Sequence, residues 1–94
     1  MLHIIDCKYI SGYQLALTFD NGTNGIADLK DLPNEGNVFQ PLKDIEVFKN
    51  IKLDHGVTTW LNGQLDIAPE YLFFLVNKDN LEYKELFTEW GYLP

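Results

Sequence analysis

Between residues 13 and 20 apolar and polar side chains alternate with a period of two. Leu15, Leu17 and Phe19 fall on one side and Gln14, Ala16 and Thr18 on the other, the pattern of a half-buried β-strand. Residues 2–10 are rich in β-branched and aromatic types and predict a strand before it, with Ser11-Gly12 as the turn between the two. Asn21-Gly22 predicts a second hairpin into a strand near Thr23–Leu29, because both turn residues tolerate the positive φ that tight hairpins require. Residues 30–37 hold proline, glycine and charged groups and predict an irregular connection, with one helical turn at Leu29–Leu32. Val38–Leu42 then re-enters the core. Asp44 is placed to cap a short helix through Lys49, whose Ile45 and Phe48 share one face.

The second half repeats the hairpin theme. Ile51–Asp54 and Val57–Leu61 form a predicted hairpin across His55-Gly56, and Asn62-Gly63 leads into a brief strand near Gln64–Ile67. Pro69 and Glu70 suit the first turn of a helix, where a missing N–H costs nothing and a carboxylate meets the positive end of the dipole. This helix carries Tyr71 to Val76 and is apolar nearly all round, so it should be largely covered. After Asn77-Lys78, Asp79 and Glu82 have the spacing of a capping box. Tyr83, Leu86, Phe87 and Trp90 then make an apolar stripe that Gly91 stops. The expectation is one α+β domain over residues 1–94. It has two layers: an antiparallel sheet of five or six short strands with two or three helices on one face, the last an amphipathic helix over 79–91.

Charge narrows the function classes. The net charge is −7, and all seven cations are lysines. An acidic chain without the bidentate fork of arginine is repelled by phosphate backbones, so direct nucleic-acid binding is not expected. The longest apolar run, Tyr71–Val76, is far shorter than the roughly 20 residues needed to cross a bilayer. With a single cysteine, no internal disulfide and no basic–apolar leader at the N-terminus, the expected address is the cytoplasm.

Residues 2–72 carry a resemblance to a known family. Its matching residues are Leu15–Gly22, Asp28-Leu29, and Val38–Leu42 with Asp44 and Phe48. The most specific are Thr58-Thr59-Trp60, Asn62-Gly63 and Asp66-Ile67-Ala68-Pro69-Glu70 with Leu72. Together they resemble the small bacterial proteins grouped as domain of unknown function 2442, with the family-like core reaching residue 77. The resemblance implies a two-layer α+β fold and, since the family has no established activity, no catalytic residue. Some relatives append a helix-turn-helix, and some sit in toxin–antitoxin-like gene pairs. Residues 78–94 hold one aromatic helix, too short for a helix-turn-helix, so a DNA-binding role is not inherited.

Candidate chemistry is sparse. Cys7 with His3 or His55 is a conceivable nucleophile and base, yet Cys7 lies in a predicted strand, where a small buried hydrophobe is ordinary. No metal-ligand spacing stands out, and Asn21–Gly25 lies between strands rather than before a helix, so neither metal, cofactor nor catalytic residues are expected. Asp66 lies just before Pro69, where it is expected to accept from free N–H groups and pin the strand-to-helix corner. Trp60 and the stripe residues Tyr83, Phe87 and Trp90 are candidate interface anchors as well as candidate core. The expected function is a non-enzymatic protein-interaction or regulatory module, with Trp60, Asn62, Asp66, Tyr83, Phe87 and Trp90 as partner-binding residues. A second class is a small-molecule-binding domain or unrecognised enzyme with a pocket near Trp60, Asn62 and Asp66. A third is self-association through an open sheet edge.

Overall fold

A computed structural model describes all residues from 1 to 94. The first three strands, β1 (Ile4–Ser11), β2 (Gln14–Phe19) and β3 (Asn24–Asp28), form an antiparallel meander in the order β1-β2-β3. The period-two reading of β2 is borne out: Leu15, Leu17 and Phe19 are all buried. In β1 the same periodicity is broken by a bulge. Ile4 pairs with Phe19 and Asp6 with Thr18, which leaves Ile5 unpaired and 60% exposed. The extra residue resets the alternation, so Cys7 and Tyr9 reach the core side.

A second meander follows from β4 (Lys52–Asp54), β5 (Val57–Trp60) and β6 (Leu65–Ile67), in the order β4-β5-β6. The expectation of a single sheet is therefore corrected: six strands are present, but in two three-stranded sheets. Only one backbone hydrogen bond joins them, from Ile4 N–H to the Gly56 carbonyl at 2.9 Å. The bulge at Ile5 bends β1 directly after that bond, and a bent strand cannot continue the ladder onto β4. His3 completes the corner. Its backbone N–H donates to Asp20 Oδ1 at 3.1 Å, and its ring packs where a side chain on Gly56 would sit.

Three α-helices and three 3-10 turns complete the fold. The connection expected to be irregular is 3-10 helical at Leu32–Asn34 and again at Asn37–Lys43, and it buries Leu32, Pro33 and Leu42. Helix α1 (Ile45–Lys49) is capped as expected, with the Glu46 N–H donating to Asp44 Oδ1 at 3.0 Å. Helix α2 (Pro69–Asn77) lies so close to β3 that a Cβ on Gly25 would collide with Val76. The C-terminal helix is shorter than expected. A 3-10 turn at Leu81–Tyr83 precedes α3 (Lys84–Glu89), and the cap is Asn80, which accepts from the Glu82 N–H, rather than Asp79.

Gly91 does stop α3. At φ 86° it allows the Tyr92 N–H to reach the Phe87 carbonyl and its own N–H to reach that of Thr88. This pair of bonds defines a Schellman motif. It folds the tail back so that Tyr92 packs on Phe74 and Tyr71, with ring centroids 5.1 and 5.6 Å apart. The shared core runs through both sheets and all three helices, from Ile4, Leu15 and Phe19 through Phe48 and Trp60 to Phe73 and Phe87.

Candidate functional site

The six residues expected to bind a partner do not gather in one place. Trp60 is 1% exposed: its Nε1 donates to the Phe48 carbonyl at 3.0 Å and its ring lies 5.7 Å from that of Phe48. Phe87 is fully buried against Phe73 and Phe74. As folded, these two present no surface, because each fills the space between layers that the strand or helix periodicity directs it into. Tyr83 and Trp90 are half-buried against Phe73, at 5.0 and 6.2 Å. The remaining two, Asn62 and Asp66, are exposed.

Asp66 also departs from its expected local role. Helix α2 has Ala68 as its N-cap, with no side chain bonded to the free N–H groups. Leu65 and Ile67 on either side are buried, so the strand alternation turns Asp66 to the outer face of β6, opposite Thr59. The turn before it differs too. Trp60 and Leu65 are the last pair, leaving a four-residue loop in which Leu61, Asn62 and Gly63 all have positive φ, 54°, 56° and 87°. For Leu61, expected at the end of a strand, this left-handed conformation is a strained one.

Asn62 and Asp66 line different cavities. Leu61 and Asn62 border one of about 310 Å3, shared with Glu46, Val47, Asn50 and Lys52. Asp66 borders another of about 260 Å3, where the end of β6 meets α2 and the 3-10 segments. Its walls are Leu32, Phe39, Ile67, Ala68 and Tyr71, with Glu35 and Asp66 on the rim. A polar extension of about 190 Å3 shares Leu32, Glu35 and Tyr71 and ends among Asp28, Lys30, Asp31 and Lys78. The two adjoin at Leu32, Glu35 and Tyr71 as a shallow surface cleft, apolar at the β6 end and charged at the other.

Carboxylates outnumber lysines along this cleft, with Asp28, Asp31, Glu35 and Asp66 against Lys30 and Lys78. Burial raises the Tyr71 phenol above its ordinary value, and the negative charges of Glu35 and Asp31 push it the same way. Burial and Glu70 do the same to the neighbouring Tyr92. A phenol raised in this way stays protonated and neutral. The rim carboxylates lie beside an apolar wall, where a cationic group is less screened than in open water.

Elsewhere a few ionisable side chains are engaged locally. Burial, reinforced by Asp6, raises the Cys7 thiol to about 11, so no thiolate nucleophile forms there at neutral pH. His3 Nδ1 lies 3.3 Å from Asp20 Oδ2 and His55 Nδ1 lies 2.7 Å from Asp54 Oδ1. No group of three or more His, Cys, Asp or Glu side chains is placed to hold a metal ion.

Asp66 was a candidate for other reasons, whereas Leu32, Glu35, Phe39 and Tyr71, which supply most of the cleft, were not among the candidates. The one signal available was the alternation Leu65-Asp66-Ile67, which already faces Asp66 away from the core. Leu32, Glu35 and Phe39 come from a segment without periodicity, and Tyr71 from α2, whose nearly all-round apolar pattern marks no single face.

Fold and cleft define a small two-sheet α+β domain whose concave surface lies between a sheet end and a helix. Residues 4–77 match the family described as "Protein of unknown function (DUF2442)", and the chain belongs to that family. No curated protein and no solved structure shows significant similarity to it. No helix is long and apolar enough to cross a membrane.

Proposed function

We propose that this domain is a non-enzymatic protein-interaction module that recognises a basic partner through the Tyr71 cleft. One observation supports the reading above others: an apolar cleft rimmed by Glu35 and Asp66, on a chain with twice as many acidic as basic residues. Apolar walls supply contact area, and rim carboxylates steer and select a cationic partner. The protein encoded beside it in a paired gene, the arrangement that the family resemblance implies, is one source of such a partner. A small-molecule pocket shared by Trp60, Asn62 and Asp66 is less well supported, since one is interior and the other two border separate cavities.

The test is affinity capture from the native cell with wild-type protein and the charge-reversed Glu35→Lys, an exposed position whose change leaves the core intact. The expected result is one stoichiometric basic protein held by the wild type and lost by the variant. Equal capture by both forms, or capture by neither, overturns the reading.

A further inference from the structure

Strand β6 is the outer strand of its sheet, and Leu65–Ile67 make no backbone hydrogen bond beyond the ladder with β5. Its open edge therefore carries N–H and C=O groups without a partner in the chain, next to the apolar end of the cleft. Asp66, at the centre of this edge, is exposed, while Leu65 and Ile67 on either side are buried. Sheet edges without a backbone partner accept an added strand. The edge, the cleft and the rim carboxylates lie together.

We infer that the cleft is occupied by an extended segment of the partner that adds to β6 as a fourth strand and carries a lysine or arginine between two large apolar residues. This rests on the interaction reading above and specifies its occupant. Side chains on a strand alternate between faces, and directly opposed residues share a face. The residue opposite Asp66 thus shares the outer face with its carboxylate, and opposite charges across a strand pair attract. The residues before and after it turn to the inner side, where Leu65 and Ile67 lie, and enter the space walled by Leu32, Phe39 and Tyr71. Glu35 on the facing rim adds a second carboxylate for the same cationic segment. Charge complementarity decides the occupant: an acidic or purely apolar strand leaves Asp66 unpaired or repelled.

The probe is a short fluorescein-labelled peptide in which valine and lysine alternate, read by fluorescence anisotropy and by amide shifts of isotope-labelled full-length protein. Comparison peptides alternate valine and glutamate, alternate serine and lysine, or carry the valines and lysines in two blocks. The valine–lysine peptide is expected to bind with at least about tenfold preference over each. Amides of Leu65–Ile67 should gain protection from exchange when it does. The exposed variant Asp66→Lys should lose that preference and gain one for the valine–glutamate peptide.

Equal binding of the serine–lysine or block peptide overturns the inference, since it leaves only diffuse electrostatics. Shifts around Tyr71 without protection in β6 overturn strand addition while the interaction reading stands. No binding by any peptide overturns the inference too. The interaction reading is then decided separately, by whether wild type and Glu35→Lys differ in capture from cells.

Discussion

The aromatic rings gathered around α1 differ from those gathered around α3 in what fixes them. Around α1 stand Tyr9, Tyr13, Phe48 and Trp60, and two of these are tied to the backbone. Tyr13 donates its hydroxyl to the Leu42 carbonyl at 2.7 Å, and Trp60 its indole N–H to that of Phe48. Around α3 stand Tyr71, Phe73, Phe74, Tyr83, Phe87, Trp90 and Tyr92, joined ring to ring. No hydroxyl or indole N–H of this second group bonds to the chain. Area and edge-to-face contacts hold the second group, whereas directional bonds also set the orientation of the first. The first lies wholly within the family-matched residues; α3 and the tail lie beyond them. The first group is therefore expected to hold its orientation more strictly than the second, although both belong to one continuous core.

Truncating the central ring of each group tests this most severely. Trp60→Ala and Phe87→Ala should each cost about 3–5 kcal/mol, as expected for a large buried aromatic. Their hydrogen-exchange patterns should differ. Trp60→Ala lowers protection throughout both sheets, while Phe87→Ala exposes residues 81–93 and leaves the β2 amides protected. Loss of β2 protection in Phe87→Ala would merge the two clusters into one cooperative unit.

Removing a single hydroxyl sharpens the contrast. Tyr13→Phe leaves the Leu42 carbonyl short of its donor and should cost about 1–1.5 kcal/mol by urea denaturation. Tyr83→Phe removes a hydroxyl with no bond to the chain and should cost less than about 0.5 kcal/mol. Gly91→Ala forces a side chain into the left-handed turn that folds the tail onto α2. A loss of about 1 kcal/mol is expected, with the near-ultraviolet signal of Tyr92 altered and that of Trp60 preserved. Leu61→Asn acts in the opposite direction. Asparagine tolerates the φ of 54° that strains leucine, and the position is 41% exposed, so stability should rise by up to about 1 kcal/mol.

The pH responses lie at the two ends of the scale. The backbone N–H of His3, with its ring, holds the Asp20 carboxyl below its ordinary 3.8. Its contribution is therefore present above that value and lost as pH falls through the lower folded value, and Asp20→Asn should flatten acid denaturation below about pH 4. Cys7 behaves oppositely. Between its unfolded value of 9.0 and the folded value of about 11 the unfolded chain releases a proton that the folded chain keeps. Stability should therefore fall with rising pH across that window. In a urea titration series Cys7→Ala should remove the part of the fall that begins near pH 9, leaving the part due to the raised Tyr71 and Tyr92 phenols.

Much of the local structure was legible because it depends on neighbours in sequence. The alternation of Leu15, Leu17 and Phe19, the Asp44 cap and the stop at Gly91 all follow from side chains acting within a few residues of themselves. The division into two sheets was not legible. It hangs on the bulge at Ile5, and no composition or period in residues 2–10 distinguishes the unpaired residue from its neighbours. Leu61 was misplaced because a strand and the first residue of a left-handed turn differ in φ, while asparagine and glycine beside it satisfy either loop. The Tyr71 cleft was illegible for a further reason. Its walls come from residues 32–39, β6 and α2, and only the packed chain brings them together.

The hydrogen bond from Ile4 to Gly56 has a consequence for the order in which the chain assembles. Every strand pairs with its neighbour in sequence, so each meander forms through short loops whose closure entropy is small. The contact between Ile4 and Gly56 instead closes more than half the chain into a single loop. Closing so long a loop carries an entropic cost at that corner, where a bulge, a histidine and a glycine meet, as it does where Gly25 meets Val76. Assembly can therefore proceed as two fast local events, with the slow step at the junction.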